Sequence, residues 1–386
     1  MKSLYVHIPF CFGSCDYCDF LSFPLRDWHL LRRYLEILAS EMSFYRGEQF
    51  ETLYLGGGTP STLIPEHIDM LSMNLRSNFT LDGVREFTLE ANPETVDAEK
   101  IGAWLRAGVN RLTLGVQSFD DAVLAANRRN CRTEDVYRAF QLLRRAGFAN
   151  IGLDLILGLQ PSYDHVDIEA VASIFREDVR RAVSLSPEHI SVYLLSLTAG
   201  SKLGTMNAQG RIVLLDERTI EELYLFTVRF LAAHGYEQYE ISNFARPGYE
   251  SEHNLHYWRG GEYRGLGVGA VSTVQHRRMK NVETMDAYIR LVSRGERPVG
   301  EVEVLGAREQ AVERVMLSLR QRCGLDITEL VLNTSASARE RLQVYVTTLK
   351  KLYLAKQKGP CLTLTPRGYL KSNSIISYIV GLMNDG

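Results

Sequence analysis

The sequence lacks the features that mark several large functional classes. It has no excess of either charge, because 44 Lys and Arg stand against 46 Asp and Glu for a formal net charge of -2. Wrapping nucleic acid or lying on an anionic membrane needs a basic excess on at least one face, so neither partner is expected. Long apolar runs are missing too. Uncharged stretches such as His189 to Ser201 fall short of the ~20 apolar residues that cross a bilayer, and no intrinsic membrane segment is expected. Lys2 is followed by a strand-like run and then by cysteines, not by a long apolar segment and a small-residue cleavage site, so the cytoplasm is the expected compartment. Cysteine is scarce, with 6 in 386 residues, and a disulfide framework is not expected in a reducing compartment.

What is present suits a globular chain, 45% hydrophobic and 23% charged, with room for one large domain and a smaller one. Short apolar segments at Ser3 to Ile8, Thr52 to Gly56, Arg85 to Glu90, Arg111 to Val116, Ile151 to Ile156 and Ile190 to Leu195 read as strands. Between them Leu31 to Tyr45, Glu134 to Ala146 and Ile168 to Val183 repeat apolar residues at three- and four-residue steps, as amphipathic helices do. Six strand-helix units predict an α/β fold, an incomplete (β/α)6 TIM-like barrel, over residues 1–285. A smaller α+β domain is expected over 286–386, an accessory or lid domain with a strand pair near Tyr353 and Leu362 to Thr365.

The informative polar residues fall where the strands end. A cysteine loop follows the first, Gly56-Gly57-Gly58-Thr59-Pro60 the second, Glu90 and Asn92 the third, and Gln117 and Ser118 the fourth; Asp154 lies in the fifth. In parallel α/β barrels those ends converge on one site, so a single shared pocket is expected. The cysteines divide unevenly. Cys11, Cys15 and Cys18 have the spacing C-x3-C-x2-C, whereas Cys131, Cys323 and Cys361 are scattered and read as packing residues. Three clustered thiols point to metal. A structural zinc site closes with four ligands, and a zinc-stabilised scaffold remains open if the loop is structural. A [4Fe-4S] cluster on three cysteines leaves one iron free for a ligand and is the preferred reading.

The segment Tyr5-Val6-His7-Ile8-Pro9-Phe10-Cys11 with Cys15, Tyr17 and Cys18 resembles the cluster loop of radical S-adenosylmethionine (SAM) proteins of the oxygen-independent coproporphyrinogen III oxidase family. GGGTPS at Gly56 to Ser61, LEANPE at Leu89 to Glu94, GVQSFDD at Gly115 to Asp121, DLILGL at Asp154 to Leu159 and YEISNFARPG at Tyr239 to Gly248 follow in the same order. The resemblance implies a [4Fe-4S] cluster on Cys11, Cys15 and Cys18, with SAM on its open iron and an electron donor to the cluster. It assigns Tyr5, Gly57, Gly58, Thr59, Glu90, Gln117, Arg129 and Asp154 to the SAM pocket.

The oxidases of this family carry a further cysteine two positions after the third, where this chain has Phe20. They also carry a long N-terminal extension; only four residues precede Tyr5, and no counterpart is expected. The segment His253-Asn254-Leu255-His256-Tyr257-Trp258 instead resembles the HNxxYW motif of the family's haem-chaperone branch. Ser251 and Cys131 stand where that family often has cysteine and histidine. The resemblance therefore implies a haem carrier that delivers haem to apo-haemoproteins, respiratory ones among them. Its haem site takes in His253, Asn254, Tyr257 and Trp258, with His253 as the preferred ligand and His256 as the substitute, since neutral imidazole binds haem iron and flat rings suit a macrocycle. A packed loop anchor is the competing reading of that histidine. A radical SAM enzyme acting on a tetrapyrrole, a coproporphyrinogen III oxidase, is the alternative function, and whether SAM is cleaved stays open.

Overall fold

Six parallel strands form in chain order, β1 (Ser3–Ile8), β2 (Thr52–Gly57), β3 (Glu86–Ala91), β4 (Arg111–Gln117), β5 (Ile151–Leu157) and β6 (His189–Leu194), each paired with the next. The computed structural model describes residues 2–328 and 335–384. Helices α1 (Trp28–Ser43), α2 (Pro65–Asn78), α3 (Ala98–Ala107), α4 (Thr133–Arg145) and α5 (Ile168–Ser184) provide the crossovers. Aspartates start three of them: Asp27, Asp97 and Asp167 each accept a backbone N–H of the first turn, satisfying donors that a helix start leaves unpaired.

Strand alternation sorts the side chains. Leu53 and Leu55, Phe87 and Leu89, and Leu112 and Leu114 are buried in one apolar core with Leu31, Leu38 and Ile101 of the helices. Each such leucine contributes about 1.5–3 kcal/mol by leaving water. The intervening positions are polar or small. Thr52, Tyr54 and Gly56 alternate with those leucines on β2, Glu86, Thr88 and Glu90 on β3, and Arg111, Thr113 and Gly115 on β4, so they line the concave face.

The barrel is open. Among the described residues no ladder joins β6 to β1; β6 pairs instead with Asn243–Ala245, and β1 with Tyr263–Leu266. Beyond Tyr263–Leu266 the sheet continues antiparallel through Val271–Val274, Arg277–Asn281 and Val299–Val304, strands the sequence reading did not anticipate. The carboxyl-terminal part holds a three-stranded sheet (Leu325–Asp326, Cys361–Leu364, Ala355–Lys358) where two strands were expected. It docks on α6 (Glu217–Ala233) through Arg367 to Glu221 and Lys371 to Glu217, and Gln321 donates to the Trp258 carbonyl at 2.6 Å. Among the described residues, none of those lining the cleft at the strand ends lies beyond Ser196.

Candidate functional site

The carboxyl ends of the strands enclose a cleft of about 340 Å³ whose lining includes Cys11, Cys15 and Cys18 together with Gly57, Gly58, Thr59, Glu90, Gln117, Arg129 and Asp154. The convergence expected from the sequence therefore holds for ten of those residues. Tyr5 does not line the cleft; it lies beneath, its hydroxyl 3.0 Å from His7 Nδ1 and its ring stacked on Tyr54.

The cluster loop is tied to the glycine turn by backbone hydrogen bonds. Gly58 N–H donates to the Ile8 carbonyl at 2.9 Å and Thr59 N–H to that of Phe10 at 2.9 Å. Both glycines have packing reasons besides any ligand. A Cβ on Gly57, which sits at φ +117°, would come within 2.5 Å of the His7 ring, and one on Gly58 within 2.8 Å of the Phe10 carbonyl oxygen. Thr59 Oγ1 lies 3.2 Å from Cys11 Sγ.

The three thiols ring the cleft. Among the described residues no three His, Cys, Asp or Glu side chains converge on a point that could hold one metal ion. Three thiols on one short loop that lines the cleft are the ligand chemistry of an iron-sulfur cluster with one iron left open. Nor is His7 free to ligate, since its Nε2 lies 2.9 Å from the Leu21 carbonyl and its Nδ1 faces Tyr5. Burial raises the Cys11 pKa and pushes that of Cys18 up to about 11, so both are protonated thiols without metal and release protons on binding it.

Beside the thiols stands a polar wall. Arg129 Nη2 donates to Asn92 Oδ1 at 2.8 Å and to the Gly115 carbonyl, and its Nη1 lies 3.8 Å from Cys15 Sγ. Gln117 enters the cleft from a register shift after Gly115, with φ +70°, a conformation non-glycine residues adopt at some cost. Burial raises the Glu90 pKa to about 7 against the opposing hydrogen bond from Tyr54, and likewise raises Asp154 to about 6 against that from Ser191. Among the described residues, Arg129 Nε, Asp154 Oδ1 and Glu94 Oε2 are buried polar atoms of the cleft lining with no protein partner. Unpaired buried groups are costly, so this set is suited to a polar ligand in the cleft.

The HNxxYW segment is elsewhere. It forms helix α7 (Glu252–Trp258), which closes the amino ends of the strands. The Glu86 carboxylate at the start of β3 accepts Ser251 Oγ at 3.1 Å, Glu252 N–H at 2.8 Å and His253 N–H at 3.1 Å. His253 is 1% exposed, with Nδ1 2.8 Å from Thr52 Oγ1 and Nε2 2.9 Å from the Tyr257 hydroxyl. His256 Nε2 donates to the Glu262 carbonyl at 2.7 Å. Asn254, Tyr257 and Trp258 are half-buried. The structure thus brings none of His253, Asn254, Tyr257 and Trp258 into the cleft. As folded here, His253 has no nitrogen free to ligate haem, because its packing uses both.

The sequence reading missed Asn92 as a partner of Arg129, and it missed Tyr54, Glu86 and Arg111 on the concave face. Their signal was the alternation of polar with apolar residues along β2 to β4. Of the three scattered cysteines expected to be packing residues, Cys131 is buried, but Cys323 is exposed and Cys361 half-buried, because both lie on the small carboxyl-terminal sheet or beside it.

Comparisons with known proteins agree with this geometry. Residues 5–172 match the Radical SAM superfamily. The chain is 33% identical over 389 residues to the "Heme chaperone HemW" of Bacillus subtilis, covering 99% of this chain and 100% of that one. It is 36% identical over 272 residues to the "Heme chaperone HemW" of Escherichia coli, 69% of each. The solved structure of coproporphyrinogen III oxidase (HemN) from Escherichia coli, a radical SAM enzyme, shares the fold at a TM-score of 0.82 and 24% identity, covering 99% of this chain and 89% of that one. With a relative of that name matched over 99% of the chain at 33% identity and a cleft that gathers the three cysteines and their polar wall, the chain belongs to the HemW family of radical SAM proteins.

Proposed function

We propose that the chain is a haem chaperone, acting in the cytoplasm, that holds a [4Fe-4S] cluster on Cys11, Cys15 and Cys18 and SAM in the adjoining cleft. It binds haem and passes it to apo-haemoproteins, respiratory ones among them, while a separate protein supplies electrons to the cluster. Residues 1–285 form the core in this reading and 286–386 the accessory domain.

One observation carries the cofactor part: three thiols share a cleft with the buried Arg129 Nε, Asp154 Oδ1 and Glu94 Oε2, which have no protein partner, a donor and acceptor set matched to a zwitterionic ligand. A cluster with an open iron supplies an electron that can cleave the sulfonium of SAM. The residues of this chain orient and shield. Arg129, fixed by Asn92 and Gly115, places a cation beside Cys15, and Glu90 and Asp154 offer acceptors whose raised pKa values let them hold a proton near neutrality.

The haem part rests on the relatives. Haem ligation by His253 requires Thr52 to release Nδ1 or Tyr257 to release Nε2, because in the conformation described both imidazole nitrogens are engaged. The alternative, a radical enzyme acting on a tetrapyrrole, would use the same cleft. Phe20, 70% exposed, stands where the oxidases carry their further cysteine.

The deciding experiment is an anaerobic assay of the reconstituted chain, with about four irons and four sulfides bound. A Soret shift on haem titration, without turnover of coproporphyrinogen III, is expected. Formation of protoporphyrinogen IX with SAM consumed in proportion would overturn the carrier assignment. A Soret shift untouched by both His253→Ala and His256→Ala would remove these histidines from the haem site while leaving the carrier reading in place.

A further inference from the structure

The cleft and the α7 floor lie at opposite ends of the strands, four residues or about 13 Å apart along β2. One side chain touches both. The Tyr54 hydroxyl donates to Glu90 Oε1 at 2.7 Å on the cleft side. On the other side its ring lies 5.0 Å, centroid to centroid, from that of His253. The same concave row of β2 supplies Thr52, which holds His253 Nδ1 at 2.8 Å. Above Tyr54 the row leaves no slack. A Cβ on Gly56 would meet the Tyr5 and Tyr54 rings at 3.0 Å and Glu90 Oε2 at 3.1 Å. Displacement of the Glu90 carboxylate therefore either breaks the Tyr54 hydrogen bond or carries the ring with it, and the ring is packed against the imidazole that anchors α7.

We propose that Tyr54 is a positioning residue that couples the ligand state of the cleft to the seating of α7. This rests on the reading of the cleft as a SAM site. A ligand cation or hydroxyl that engages Glu90 competes with the Tyr54 hydroxyl for the same carboxylate. The ring then shifts against His253, and α7 is held more or less firmly according to whether SAM is bound. Coupling between two sites needs an element that both touch, and Tyr54 is in contact with each. For a protein that accepts a cargo in one state and releases it in another, that contact makes the cofactor a control on the HNxxYW segment.

The test is hydrogen exchange over residues 251–258 in the cluster-reconstituted chain, with and without saturating SAM, alongside SAM binding by equilibrium dialysis. In the natural chain SAM is expected to change exchange of the Glu252 and His253 amides, which donate to Glu86, by about five-fold or more. Tyr54→Phe keeps the ring and loses the hydroxyl. SAM should still bind to it at saturation, but the change should shrink to less than about two-fold. An equal SAM-dependent change in Tyr54→Phe would overturn the proposal, as would exchange in the natural chain that is indifferent to bound SAM. If Tyr54→Phe does not fold, Tyr54→Leu, which also removes the hydroxyl, takes its place with the same two outcomes. Failure of SAM to bind the natural chain would overturn the cleft reading and the coupling together, whereas binding without effect on α7 overturns only the coupling.

Discussion

The Glu86 carboxylate and the His253 backbone N–H are joined at 3.1 Å across 167 positions of sequence, and that bond seats α7 against the floor of the open barrel. The same carboxylate takes Ser251 Oγ and Glu252 N–H, so the first donors of a seven-residue helix are satisfied by a strand. A helix this short has little stability of its own, and its place depends on that acceptor.

Replacing Glu86 by Ala should cost about 3 kcal/mol, since it strands several buried donors at once. Urea unfolding checks this. A loss below about 0.5 kcal/mol, the scale of an ordinary surface change, would mean that α7 finds other acceptors or is not docked in solution.

A second buried carboxylate gives stability a pH dependence. Glu41 of α1, fully buried, accepts from Tyr288 Oη at 2.6 Å, Gly267 N–H at 2.7 Å and Asn281 Nδ2 at 2.7 Å, binding α1 to the strands that extend the sheet. Desolvation nonetheless raises its pKa to about 7. An acid whose folded pKa is raised binds more protons folded than unfolded, so its contribution falls as pH rises from the unfolded value through about 7. Between pH 6 and pH 8 that loss amounts to roughly 1 kcal/mol. The difference in stability between those two pH values should be smaller in Glu41→Gln than in the natural chain by about that amount. Equal differences would show that the carboxylate stays ionised throughout.

How far the sequence could foretell this structure depends on the scale of the signal. Strand and helix periods and the placement of polar residues after strands were local, and they predicted β1 to β6 within one or two residues and gathered the cysteines with Gly57 through Asp154 in one cleft. The contacts of α7 were not local. Glu86 and Thr52 reach His253 from positions 167 and 201 residues away, so the packed anchor stood only as the competing reading of a motif that resembles a haem ligand set. The concave face could have been read from Thr52, Tyr54 and Gly56, whose polar or small side chains alternate with Leu53 and Leu55. Attention to the apolar partners alone concealed it.

Gly58 tests the glycine turn. An added methyl would press on the Phe10 and Pro9 backbone at 2.8 to 2.9 Å, atoms that cannot move without moving the Cys11 loop. Gly58→Ala should lose about 1–3 kcal/mol and bind less iron and sulfide after reconstitution. Gly200→Ala, with open space around the added atom, should change neither. Full cluster content in Gly58→Ala, measured as iron and acid-labile sulfide, would show that the loop yields without cost.

The last prediction concerns His253, whose two readings differ in how the apo-protein responds to acid. Burial, helped by the nearby His256 and Arg111 charges, lowers its pKa to about 3, so the imidazole between Thr52 and Tyr257 is neutral at every physiological pH. A histidine whose folded pKa lies below its unfolded value of about 6.5 binds fewer protons folded than unfolded. Its contribution is therefore intact above about pH 6.5 and lost as pH falls toward 3. At pH 5 the loss is about 2 kcal/mol relative to pH 7. His253→Gln keeps hydrogen-bonding atoms but cannot be protonated. It should be less stable than the natural chain at pH 7, and the deficit should shrink by about 2 kcal/mol at pH 5. An open haem ligand, solvated in the apo-protein, would titrate near its ordinary value and leave the deficit independent of pH. Urea unfolding of both chains at the two pH values, without haem, separates these cases, because protonation of an inward-packed imidazole must be offset by the folding free energy and protonation of an exposed one need not be.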